Sequence, residues 1–439
     1  MSKVQVGCRS TELGDIPEEW EIVLLADVAD PNKPYAITGG PFGSDLKSEE
    51  YTESGVRIIQ LQNIKEGYFS NDYKIYTSEA KANQLSSCNI FPGDVIIAKM
   101  AEPVARACII PDLNERYLMA SDGIRLAVNE EEYSTKYVMY AINSSYFRQQ
   151  AIDNSTGTTR LRIGLKTLKG LKFLKPSREE QQKIASILLS VDEGIEKTVA
   201  IIEQTEKIKK GLMQQLLTKG IGHTKFKKTE VGEIPEGWEV KKLGEIANVI
   251  RGASPRPKSD PRYYGGSVPR LMVADITRDK KYITPKIDFL TEEGAKRSRP
   301  MKAGSLVIAC SGTIVGFPGI LAIDACIHDG ILGLQNLSEK CYIEYLFYYF
   351  TLQKNEINSS ATRSTFTNLT TAIMKDMLVA LPSKEEQEKI VGILSCIDKK
   401  NDVEQKKLVK FQKIKQGLMQ SLITGKVRVK VDEAEVTQV

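Results

Sequence analysis

The sequence predicts an α+β fold of two mixed α/β domains separated by two long antiparallel coiled-coil helices, the whole forming a pseudo-twofold internal repeat. Three observations predict it. Residues 176–218 and 382–424 are one stretch written twice: aligned without a gap, 19 of 43 positions are identical. A shorter block is duplicated too, TELGDIPEEWE at 11–21 and TEVGEIPEGWE at 229–239. Between block and stretch, both halves carry short β-branched runs bounded by Gly, Pro or Asp. A repeat of this kind governs every later assignment.

Each copy of the long stretch reads as one helix. Pro176 and Pro382 punctuate the entry. Ser177 stands three residues before Glu180, and Ser383 three before Glu386, a capping-box pattern. Glu179 and Glu180 fill the first turn, while Lys207, Lys209 and Lys210 cluster late, and both placements suit the helix dipole. Apolar residues recur every three or four positions: Ile184, Leu188, Val191, Ile195, Ile202, Ile208, Leu212 and Leu216, then Ile390, Leu394, Ile397, Leu408, Phe411, Ile414, Leu418 and Leu422. That spacing makes a narrow coiled-coil seam, with Ile184, Leu188, Val191, Ile390, Leu394 and Ile397 predicted at its heart. At about 1.5 Å per residue each helix is roughly 60 Å long. Neither buries its seam alone, so the expected partner is its duplicate. Gly194, Gly211, Asn401 and Glu404 interrupt the pattern and mark places for a kink. The plain reading is two braces; equal lengths point instead to a spacer whose dimension matters.

With 439 residues the chain exceeds one ordinary domain, and two to four are expected. A hydrophobic content of 41% supplies real cores, and the formal charge of +5 is compatible with a nucleic-acid partner without requiring one. The seven cysteines form no CxxC pair and the two histidines lie far apart, which argues against a zinc site. Scattered reduced cysteines fit the cytosol. MSKVQVGCRS lacks an apolar signal core and no run approaches a membrane span, so a soluble, cytoplasmic protein is expected.

The chain can be followed by the offset between its halves. Trp20 and Trp238, the two tryptophans, differ by 218 and read as core anchors. Gly93 and Gly304 differ by 211, Asp122 and Asp329 by 207, and the long stretches by 206. All drift in length therefore lies between opening block and helix. Strands are expected at 57–64, 94–99 and 124–128, and at 270–276, 305–310 and 331–334; helices at 136–149 and 342–351.

Motifs for chemistry are missing. Asp30-Pro31-Asn32 lacks the second proline and the aromatic of an amino-methyltransferase loop. Gly220-Ile221-Gly222 fails as a dinucleotide fingerprint because position 225 is Lys, and Gly425-Lys426 has no glycine five residues earlier to make a phosphate loop. Three loops in each half look instead like ligand edges. Residues 38–44 (TGGPFGS) and 250–257 (IRGASPRP) occupy equivalent places and offer Gly40, Phe42 and Ser44, and Arg251, Ser254 and Arg256. Lys99 and the pair Ser311 and Thr313 follow equivalent strands. Residues 155–162 contribute Thr158, Thr159, Arg160 and Arg162; residues 360–367 contribute Arg363, Ser364 and Thr365. Glycines permit close approach, while hydroxyls and guanidinium groups meet phosphates or base edges. Gln60, Gln62 and Asn63 cluster on one expected strand and suit adenine. Any one of these is equally well a solvated turn; the recurrence of the set in both halves favours a binding edge.

The paired openings LGDIPEEWE and VGEIPEGWE, the pair PSREEQQKIASIL and PSKEEQEKIVGIL, and the helix ends KIKKGLMQ and KIKQGLMQ give the chain its resemblance to the specificity subunit of type I restriction–modification systems, over nearly its full length. The resemblance implies target-recognition domains at 11–175 and 229–381, each reading half of a bipartite double-stranded DNA site. It implies conserved spacer helices at 176–218 and 382–424, a linker at 219–228 and a charged tail at 425–439. It further implies that the helices dock two modification subunits, which bind S-adenosylmethionine and methylate adenine, and that a restriction subunit using ATP and Mg joins them. No catalytic residue, metal or cofactor is expected in this chain. Two other classes are alternatives: a coiled-coil scaffold without DNA readout, which two diverged heads disfavour, and a methyltransferase-fused variant, which the missing catalytic loop disfavours.

Overall fold

A computed structural model of the chain describes residues 7–100, 102–312, 314–362 and 369–430. Its contacts divide the chain into two units, one made of residues up to 199 together with those from 407, the other of 200–406. Two long helices, Arg178–Lys219 and Lys384–Leu422, each pass from one unit into the other.

The first unit opens with an antiparallel hairpin, Cys8–Thr11 against Gly14–Pro17. Strand Glu21–Leu24 pairs antiparallel with Lys172–Lys175, which leads into the first long helix. Between them lie two sheets. One runs in the order Ala107–Ile109, Val95–Ala98, Gly123–Leu126, Ile37–Gly39. The other runs Tyr51–Thr52, Ile75–Thr77, Val56–Ile59, Tyr117–Met119, Asn89–Ile90. The second unit repeats the plan with hairpin Phe226–Thr229/Gly232–Pro235 and pair Glu239–Lys242/Leu378–Leu381. Its sheets differ from the first unit's in strand number: Tyr282–Ile283 adds a fifth strand to the sheet of Leu306–Ala309, and the sheet of Tyr264–Leu271 has four, with no counterpart of Tyr51–Thr52 among the described residues. Both units share one equivalent parallel pair, Val56–Ile59 with Tyr117–Met119 and Tyr264–Leu271 with Ala325–Ile327, and the second unit adds another, Tyr282–Ile283 with Pro318–Leu321.

The contacts inside each unit show how the long helices pack. In the first unit Ile184 and Leu188, near the start of the first helix, share a core with Leu418, Met419 and Leu422 near the end of the second. In the second unit Met213, Leu216 and Leu217 share a core with Ile390, Val391 and Leu394. Start meets end in both, so the helices are antiparallel within each unit. Ile184, Leu188, Ile390 and Leu394 are fully buried, whereas Val191 and Ile397 are half-buried.

Several expectations need correction. Both helices run unbroken through Gly194, Gly211, Asn401 and Glu404. Gly194 is a packing choice: a Cβ there would lie 3.2 Å from Cζ of Phe411. The apolar seam does not continue through the middle, since Ile208 and Ile414 are 50% and 39% exposed while Thr198, Thr205 and Asn401 are buried. The strand expected at 57–64 stops at Ile59, because Asn63 Oδ1 accepts the Gln60 N–H at 3.0 Å and turns the chain. The strand expected at 270–276 is Tyr264–Leu271 followed by helix Val273–Asp279, started by Asp275 Oδ2 accepting from Met272 N at 3.0 Å. The helix expected at 136–149 is two, Thr135–Ile142 and Ser145–Asp153. Asn143 parts them by bonding both backbone groups of Ala107, at 3.0 and 2.8 Å. The helix expected at 342–351 runs Ile343–Thr362. The remaining strands, Val95–Ala98, Gly123–Leu126, Leu306–Ala309 and Ile331–Gln335, differ only at their ends.

The opening tryptophans are core anchors with a polar purpose. Trp20 Nε1 donates to Glu180 Oε2 at 3.0 Å, and Trp238 Nε1 to Glu386 Oε2 at 3.1 Å. Thus the two duplicated blocks hold each other. Gln181 and Gln387 repeat this economy: each amide accepts a backbone N–H (Ser134, Tyr342) and donates to carbonyls at the helix entrance (Pro176, Pro382). Asp192 accepts from Tyr140 Oη at 2.6 Å and pairs with Lys415 at 2.6 Å; Asp398 accepts from Tyr348 Oη at 2.6 Å and pairs with Lys209 at 2.5 Å. All 19 identities fall in 176–192 and 207–218, the parts that make these contacts, and none in 193–206.

Truncation of the fully buried Leu188 or Leu394 to Ala should cost roughly 2–5 kcal/mol, read as a lowered denaturation midpoint. An unchanged midpoint in both variants would show that neither seam is a core.

Candidate nucleic-acid interface

The loops singled out by the sequence meet at one edge of the first unit, and two of the three meet at one edge of the second, the third lying largely outside the described residues. In the first, Gly40 continues Ile37–Gly39 and its N–H donates to Gly123 O at 2.9 Å. A Cβ at Gly40 would run into the Ala120 carbonyl, so only glycine fits this approach. The loop then swings outward, exposing Ser44 and leaving Phe42 81% exposed. Lys99 closes Val95–Ala98: its Nζ donates to Ser121 O at 3.0 Å, and its backbone carbonyl accepts from Ile163 N. Burial, with Arg162 adding repulsion, holds the Lys99 ammonium below the usual lysine range. Arg162 donates to Asp122 at 3.1 Å and bridges to Met100 and Thr156. Thr158, Thr159 and Arg160 form the exposed tip of that bridge.

Between these loops lies a cleft of ≈ 560 Å³ lined by Phe42, Tyr51, Gln60, Gln62, Arg106 and Asp122. The turn carrying the glutamines is held from behind. Asn63 is buried and its Nδ2 donates to Ser70 O at 3.0 Å and Tyr73 O at 2.8 Å. Arg106 donates to Ile64 O at 2.5 Å and Leu61 O at 2.7 Å. Asn63 therefore presents no free amide to a ligand; it braces Gln60 and Gln62. Tyr51, Arg106 and Asp122 are site residues that the sequence does not single out, though Asp122 and Asp329 recur at equivalent places in the two halves.

In the second unit Gly252 sits as Gly40 does, against the His328 carbonyl. Arg251 Nε donates to Asp329 O at 2.7 Å, and Arg256 lies 3.8 Å from Asp329 Oδ2. Ser311 Oγ lies against Gly330. Arg251, Arg256 and Ser311 thus converge on the 328–330 turn. Ser254 is turned inward instead, its Oγ accepting from the buried Arg270. Thr313, Arg363, Ser364 and Thr365 lie outside the described residues. His328 is pushed below its ordinary value by burial, with Arg270 acting in the same direction and Asp329 opposing. Its Nδ1 is 2.9 Å from Gly330 N and 3.0 Å from Asp329 Oδ1. With the ring neutral, Nδ1 accepts the Gly330 N–H, and the Asp329 contact is no ion pair. Among the described residues no group of His, Cys, Asp or Glu is placed to hold a metal, and no helix is long and apolar enough to cross a membrane.

Two copies of one unit, each gathering Gly-, Arg- and hydroxyl-bearing loops at an edge, define a duplicated recognition module. Residues 17–207 and 235–413 match the family described as the type I restriction modification DNA specificity domain. The chain belongs to this family and is a type I DNA specificity subunit carrying two copies of its domain; such subunits are generally non-catalytic. It is 28% identical over 436 residues to the MjaX specificity subunit of Methanocaldococcus jannaschii, spanning 96% of this chain and 97% of that one. It is 25% identical over 431 residues to the type I restriction enzyme MjaVIII specificity subunit of the same organism, spanning 94% of each. The fold is also that of the type I restriction-modification system S subunit from M. genitalium, with TM-score 0.56 at 17% identity, over 94% of this chain and 97% of that one.

Because His328 charges less readily folded than unfolded, its contribution is complete above the ordinary value of 6.5 and falls as pH drops toward the lowered value. Plotted against pH, the melting temperatures of the parent and of His328→Asn should therefore keep a constant separation above pH 6.5, and the parent should lose ground below it. Parallel curves would show that the ring is not held neutral.

Proposed function

We propose that this chain reads a bipartite site on double-stranded DNA for a type I restriction–modification enzyme, one half-site per unit, and is itself non-catalytic. The observation that carries the reading is the gathering of equivalent loops at one edge of each unit, in a family of DNA specificity subunits. The recognition domains are taken as 11–175 and 229–381, the conserved helices as 176–218 and 382–424, with linker 219–228 and tail 425–439. For the first half-site the contacts are Gly40, Phe42, Ser44, Gln60, Gln62, Lys99, Thr158, Thr159, Arg160 and Arg162, with Asn63 in support. For the second they are Arg251, Arg256, Ser311, Thr313, Arg363, Ser364 and Thr365, with the inward-turned Ser254 in support. Arginine and lysine fix the register on phosphates, and amides and guanidinium groups read base edges.

The helices, kept alike at their ends while the heads diverge, set the spacer and dock two modification subunits. Those subunits carry S-adenosylmethionine and methylate adenine; a restriction subunit uses ATP and Mg. The assembly works in the cytoplasm.

Replacing residues 22–170 with the corresponding domain of another such subunit should change one half-site and leave the other, as read by methylome sequencing. A change in both would overturn the two-reader assignment. Light scattering of the chain with saturating modification subunit should give two of them per chain; a stable one-to-one complex would count against the paired docking sites.

A further inference from the structure

Resting on the reading above, we infer that Gln62 is the residue that selects an adenine in the first half-site, with Gln60 as its positioning residue, and that the second unit lacks this readout. The two units have the same turn at the same place. It follows the strand that pairs parallel, Val56–Ile59 in one and Tyr264–Leu271 in the other. It is closed by the same bond, Asn63 Oδ1 from Gln60 N and Asp275 Oδ2 from Met272 N, each at 3.0 Å. Gln60-Leu61-Gln62 therefore corresponds to Met272-Val273-Ala274. The first turn offers two amides to its cleft; the second offers apolar side chains at the same positions.

The amides in the first turn are oriented. Gln62 Nε2 donates to Gln60 Oε1 at 3.4 Å, and Gln60 Nε2 donates to Tyr51 Oη at 3.5 Å. This leaves Gln62 with a free Oε1 and a second N–H, side by side and exposed. Adenine presents N7 as acceptor and N6–H₂ as donor in the major groove, the complement of that pair. Guanine presents two acceptors, N7 and O6, and would set O6 against Gln62 Oε1. Rotating the Gln62 amide to suit guanine would break its bond to Gln60. Behind the turn, Asn63 and Arg106 fix the backbone through Ser70, Tyr73, Leu61 and Ile64. The backbone that carries the two amides is therefore ordered before any contact is made.

The test uses the full chain copurified with its modification subunit and a duplex pool randomised in both half-sites, with the bound fraction sequenced. The parent should require A·T at one position of the first half-site. Gln62→Ala, at an exposed position, should relax that position alone, by about 5- to 150-fold as expected for one bidentate contact. Gln60→Leu should relax the same position less. A duplex with 7-deazaadenine there should bind the parent more weakly and the Gln62→Ala protein unchanged. If the parent reads a split site and Gln62→Ala keeps every preference, or changes the second half-site, this inference is wrong while the two-reader model stands. If the parent shows no preference anywhere, both fall.

Discussion

A carboxylate at the start of each long helix, buried in the first and half-buried in the second, is what the rest of each unit depends on. Glu180 is 3% exposed. A carboxylate in such a place is costly unless its lone pairs are met. Trp20 supplies one hydrogen bond and Arg428 two more, at 2.7 and 3.1 Å. The adjacent helix N-terminus adds favourable field. Glu386 is met the same way by Trp238, by Ile221 N at 2.9 Å and by His223 Nε2 at 2.8 Å. Each acid thus gathers an opening block, a helix start and the segment after the other helix's end. A histidine in one unit stands where a permanent guanidinium stands in the other.

The same logic sets which parts of the helices were kept alike. Asp192 and Asp398 each take a tyrosine from the globular part and a lysine from the antiparallel helix, and Lys415 and Lys209 also lie over the rings they share, Tyr140 and Tyr348. Burial and the neighbouring aspartate push both phenols well above their usual range, so they remain donors. A substitution on any one member leaves charged partners unmet inside a packed unit. Between these clusters, residues 193–206 and their counterparts face fewer demands and share no identity.

The recognition edge obeys the opposite rule. Its loops are anchored by backbone bonds and by glycines that admit no side chain, Gly40 and Gly252, so the side chains at their tips are free to differ. Phe42 projects where Ser254 folds inward; Arg162 pairs with Asp122 where Arg251 and Arg256 meet Asp329. One scaffold can therefore carry two readouts.

The sequence by itself determined the duplication, the long helices, the tryptophan anchors and the places of the loops. These signals are local or periodic: a capping pattern, a three-to-four spacing, a constant offset. Tertiary structure alone decided what single polar residues do. Asn63 looked like a reader because an exposed strand would present its amide; the turn it closes hides that amide and leaves Gln60 and Gln62 outside. Asn143 looked like helix interior until its pairing with Ala107 parted two helices. Ile208 and Ile414 kept the apolar period yet face solvent, because the seam is defined by which residues meet across the pair and not by spacing along one helix. A side chain that bonds groups distant in the chain takes its role from them, and that pairing is absent from any window of sequence.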